Sequence, residues 1–124
     1  MEEVSLHIDQ LNYGYGLIDK VYSLRNQLVI VEQDIIGLFN PNYPMIQDLM
    51  FLCRHNFPDS CAFLINDLEQ QSLIEQGCGL STNSCRVYTE EGAILIGILI
   101  NSEKADQISN SIIQIFASLR EMSI

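Results

Sequence analysis

A chain of 124 residues has room for one sizeable hydrophobic core, so a single domain spanning 1–124 is expected. With 48% hydrophobic and 18% charged residues it lies far from the composition of a disordered segment. Sixteen acidic against six basic side chains give a formal net charge of −10, the sign of phosphate backbones and anionic lipid heads; this argues against nucleic-acid and membrane binding and makes a basic protein the expected charged partner.

The opening MEEVSLHIDQ carries neither the basic region nor the apolar stretch of a secretory or transit signal. The longest apolar run, around residues 93–100, is far shorter than the roughly 20 residues that span a bilayer. A cytoplasmic location follows as the expectation. In that compartment Cys53, Cys61, Cys78 and Cys85 are expected to stay reduced.

The first strong periodicity is Leu17, Val21, Leu24, Leu28, Val31, Ile35 and Leu38, whose steps alternate four and three. This spacing predicts one amphipathic helix from about Gly16 to Phe39. A β-hairpin competes with it, because Leu28–Val31 is rich in β-branched residues and Arg25-Asn26 could supply the turn. Asn40-Pro41-Asn42-Tyr43-Pro44 stops whatever precedes it, and a second helix is expected over 44–56.

From Cys61 the pattern reads as four short strands: Cys61–Asn66, Ser72–Cys78, Cys85–Thr89 and Ala93–Ile100. Thr89-Glu90-Glu91-Gly92 would be the hairpin joining the last two. The fourth strand, apolar on both faces, would be central or covered on both sides. A final helix begins at a cap on Asn101 or Ser102 and buries Ala105, Ile108, Ile112, Ile115, Leu119 and Met122. The expected class is α+β: two N-terminal helices, a four-stranded antiparallel sheet and a C-terminal helix, in the order α-α-β-β-β-β-α.

From Met45 to Leu119 the succession of MIQDLMFLCRH, the segments Ala62–Asp67 and Ser72–Gly79, and EGAILIGILINS before a closing helix resembles a pared-down GAF sensory domain. The general plan is also similar to roadblock-like domains. Both resemblances imply a regulatory module whose long helix forms a dimer interface. Where GAF domains insert a helix and strand, this chain has only Leu80–Ser84, so no ligand residue of that family maps onto it.

Motifs for chemistry are sparse. Cys53, His55, Cys61, Cys78 and Cys85 include no C-x2-C pair that would pre-organise a zinc site. Cys53 and His55, two apart, would point to different sides of a helix. Glu90-Glu91 falls in an expected turn, and Gly14 and Gly16 lack the remainder of a dinucleotide-binding pattern. No catalytic, metal or cofactor residue is therefore nominated, and no cofactor is expected. The favoured reading is a non-enzymatic regulatory or adaptor protein that homodimerises, with an interface of Leu17, Val21, Leu24, Leu28, Val31, Ile35 and Leu38 and an aromatic patch at Tyr13 and Tyr15. Two alternatives are an acidic inhibitor or immunity protein that blocks a basic toxin or nuclease, and a small-molecule sensor.

Overall fold

The computed structural model describes residues 16–39, 46–80 and 85–122. After a 3-10 turn at Leu17–Lys20 come β1 (Tyr22–Leu24), β2 (Gln27–Val31), α1 (Glu32–Phe39), α2 (Ile46–Asn56), β3 (Ala62–Leu64), α3 (Asp67–Glu75), β4 (Arg86–Thr89), α4 (Glu90–Ile100) and α5 (Glu103–Met122). The four strands form one antiparallel sheet in the order β1-β2-β4-β3.

Residues 16–39 form a hairpin followed by a helix, and the long first helix is overturned. Arg25 and Asn26 both take positive φ, 52° and 61°, as a two-residue type I′ turn demands. Arginine is an unusual choice there, and it is held from outside: its guanidinium grips Glu69 at 2.6 and 3.0 Å and lies 4.0 Å above the Phe63 ring. Strand β2 is buried on both faces, with Val29 and Val31 in one apolar cluster and Ile30 in the other. Such a strand carries apolar residues almost continuously, and that run mimics helical spacing.

The two clusters lie on opposite faces of the sheet. The larger collects α1, α2, α4 and α5 around Ile30, Ala62 and Tyr88; the smaller sets Leu73 of α3, Cys78 and Cys85 against Val29, Val31, Phe63 and Val87. The β1 edge is closed by a side chain, since the Gln76 amide accepts from Ser23 N and donates to Ser23 O, both at 2.9 Å. This occupies the main-chain groups that a stray strand would otherwise pair with.

The expected order α-α-β-β-β-β-α is therefore replaced by β-β-α-α-β-α-β-α-α, the sheet being interleaved with helices. Ser72–Cys78, expected to be a strand, is the second half of α3 and its closing turn. Asn66 caps that helix in a full capping box with Glu69, and Gly77 turns the chain at φ 99°. Ala93–Ile100, also expected to be a strand, is α4. Thr89 accepts from Gly92 N as its N-cap, so Thr89–Gly92 is a helix start and not a hairpin. Two of the segments that carry the GAF resemblance, Ser72–Gly79 and Ile94–Ile100, thus fall mainly on helices. The strands at β3 and β4, the second helix and the terminal helix form where the sequence places them. Ser102 caps the last, accepting from Ala105 N at 3.1 Å.

Two outcomes test this packing. A methyl group at Gly92 would collide with the main-chain carbonyl of Cys61, whereas one at Gly37 meets nothing. Gly92→Ala is expected to lower the unfolding free energy by about 1–3 kcal/mol or more, and Gly37→Ala to raise it by roughly 0.5–1 kcal/mol, both read from urea midpoints. The Arg25 guanidinium, with the Asn66 backbone, holds the Glu69 carboxyl below its ordinary range. A depressed folded pKa gives stability that is present above the ordinary glutamate value of about 4.3 and is lost as pH falls through the lowered one. Urea midpoints measured from pH 7 downward should therefore fall less steeply in acid for Glu69→Gln than for the wild type.

Candidate functional site

Helix α4 follows the central strand β4 without an intervening residue, and it is apolar around its whole circumference. Glu90 and Glu91 sit at its positive end, and Asn101 closes it in the left-handed conformation at φ 56°. Its inner face, Ala93, Ile96 and Gly97, is fully buried. Gly97 lets α5 come close, because a Cβ there would overlap Ser109 Oγ. At the other end of this antiparallel pair Arg120 reaches Glu90 at 2.6 Å.

Among the described residues nothing covers the outer face of α4. Ile98 and Leu99 are 60% and 54% exposed, with Ile94 and Leu95 half-buried one turn earlier. The pairing that sets Gly97 against Ser109 brings Ile113 of α5, 39% exposed, level with the same face. From Gly92 to Ser102 the chain carries no charged side chain. Isolated exposed apolar residues are ordinary, whereas a contiguous apolar helix face is a candidate contact surface.

A second constellation lies at the end of the sheet. Tyr88, fully buried, donates to Glu32 Oε2 at 2.9 Å, and Arg54 of α2 binds the same carboxylate. Burial, with the Glu32 charge beside it, pushes the Tyr88 phenol far above its ordinary range, so it stays protonated and acts as a fixed donor. Phe57 meets its ring edge-on at 6.3 Å. The group ties α2 to the β2–α1 junction.

A third feature is an open cleft of about 620 Å³ between the β1–β2 turn and the adjoining ends of α4 and α5. Its carboxylates are already engaged, Glu90 by Arg120 and Glu91 by the Cys61 thiol at 3.5 Å. Among the described residues no three His, Cys, Asp or Glu side chains converge as metal ligands would, and no helix is long and apolar enough to cross a membrane.

Of the residues nominated from sequence, Leu17, Leu24, Val31, Ile35 and Leu38 are buried in the domain's own two clusters, and Val21 and Leu28 are half-buried beside them. Distributed over a 3-10 turn, two strands and a helix, they do not form one helical face. Tyr13 and Tyr15 lie outside the described residues. The exposed residues of α4 are not legible as a surface in the sequence, because the segment reads as a central strand. No protein-family model, curated protein or solved structure matches the chain.

All four cysteines are buried, and burial raises each thiol above its ordinary value, Cys85 to about 11 with Cys78 adding to the effect. A raised thiol pKa leaves little thiolate at mildly alkaline pH. Native protein at pH 8 is expected to react with a thiol reagent such as dithionitrobenzoate only at the rate of unfolding, and all four groups to react at once in urea.

Proposed function

We propose that the protein works by association and not by catalysis, as a small regulatory or adaptor domain that pairs with a second copy of itself through the outer face of α4. The observation that carries this reading is the helix that is apolar on both sides. A helix with that pattern is normally buried all round, and here the described residues bury only one side.

Charge supports a second copy as the occupant. Two chains each of net charge −10 repel over most of their surfaces, and the uncharged span from Gly92 to Ser102 is where they can approach at least electrostatic cost. An inhibitor of a basic toxin would instead be expected to offer carboxylates at its contact surface. That alternative gains nothing from the α4 face.

Sedimentation velocity across about 1–100 µM tests the proposal, a range that brackets weak to moderate dimers. The wild type should shift from monomer toward dimer. The double substitution Ile98→Glu and Leu99→Glu, at exposed positions, should leave a folded monomer by circular dichroism. A wild type that stays monomeric throughout, or a variant that associates as well as the wild type does, would overturn the reading and bring the acidic-inhibitor alternative forward.

A further inference from the structure

We infer that Arg86 is a binding site for an oxyanion, either a carboxylate or a phosphate group carried by a ligand. The inference is independent of the α4 contact. Arg86 opens strand β4 and, two residues before Tyr88, projects to the same face of the sheet. The register that pairs Val31 with Val87 brings Glu32 level with Arg86 on one side, and Leu64 pairs with it on the other.

Glu32 is the acid placed to neutralise it, but both oxygens of that carboxylate are taken, by Arg54 and by the Tyr88 hydroxyl. The Arg86 guanidinium makes no hydrogen bond or ion pair among the described residues, and its Nε is buried without a partner. Arg25, Arg54 and Arg120 each hold a glutamate. In a chain with only six basic residues against sixteen acids, a guanidinium with no hydrogen-bonded carboxylate among the described residues stands apart from those three. A buried N–H without a partner is destabilising, and it calls for an explanation such as a water, an ion or a ligand.

The chemistry of the missing partner follows from the donor. A guanidinium offers planar, paired N–H groups that match two oxygens of a carboxylate or phosphate and offer nothing to a cation. Arg86 itself remains partly exposed, and its cross-strand neighbour Leu64, 57% exposed, provides an apolar flank for whatever carries the anion.

The test is a titration of the full chain with sodium phosphate and, separately, sodium acetate, each against sodium chloride at equal ionic strength, following the arginine Nε–Hε signals by NMR. The Arg86 signal should shift saturably, half-complete at about 1–10 mM as for a single small anion, while those of Arg25 and Arg120 should not. A response to phosphate alone identifies a phosphate group as the ligand chemistry; a response to acetate identifies a carboxylate. Arg86→Lys, which keeps the charge and loses the fork, should weaken binding at least about tenfold, read on neighbouring amide signals. An Arg86 shift no larger than that in chloride, or an undiminished response in Arg86→Lys, would overturn the assignment. The wild-type titration decides even if the variant does not fold.

Discussion

Between Tyr88 and Ala93 the chain passes from the central strand of the sheet directly into helix α4, and the space for that turn exists because residue 92 has no side chain to strike the Cys61 carbonyl. The same few residues close every local account: Thr89 N donates to Cys61 O at 2.9 Å, its hydroxyl bonds Ser60 O at 2.8 Å, and that hydroxyl also accepts from Gly92 N. Strand pairing, helix cap and helix–sheet contact are thus one structure. With no linker to flex, the direction of α4 is set by β4, which is itself held on both edges by β2 and β3.

Once α4 is fixed, its consequences for the surface follow. Gly97 admits Ser109, and Ala93 and Ile96 reach the core, so α5 takes one side of the helix. Among the described residues the opposite side has no neighbour, because α1 and α2 pack over the sheet around Ile30, Ala62 and Tyr88. An apolar face left over by a rigid junction is a different thing from a flexible apolar loop, since a partner can dock on it without first ordering it. That preorganisation is the physical basis of the proposed self-association.

The sequence is legible where a local signal has one meaning. The terminal helix shows Ser102 followed by acids in its first turn and a sustained apolar seam, and it forms as expected except at its end, where Met122, expected in the buried seam, is 57% exposed because the helix there has run past the core. It is misleading where a signal has two. Leu17 to Leu38 keeps helical spacing, yet the chain is a hairpin whose second strand is buried on both faces, and the Arg25-Asn26 turn lacks the glycine that would have announced it. The apolar run of α4 fits a buried strand or a buried helix equally well, and its length of 11 residues and the Thr89 cap were the arbitrating signs. Asn66 with Glu69 three residues on is likewise a helix start hidden in a segment rich in strand formers. The same ambiguity governs which residues reach the surface. A residue that belongs to a seam in one secondary structure belongs to the interior in another, as Leu24 and Val31 do, and Ile98 and Leu99 pass the other way, from expected interior to surface.

The proposed self-association sets the outer face of α4 against the same face of a second chain. It is tested most directly by isotope-filtered NMR on an equimolar mixture of ¹³C-methyl-labelled and unlabelled protein, which detects only contacts between chains. Intermolecular contacts are expected among the methyl groups of Leu95, Ile98, Leu99 and Ile113. Contacts that arise elsewhere, for example at Phe51 and Leu52 of α2, or a dimer with none from α4, would contradict it.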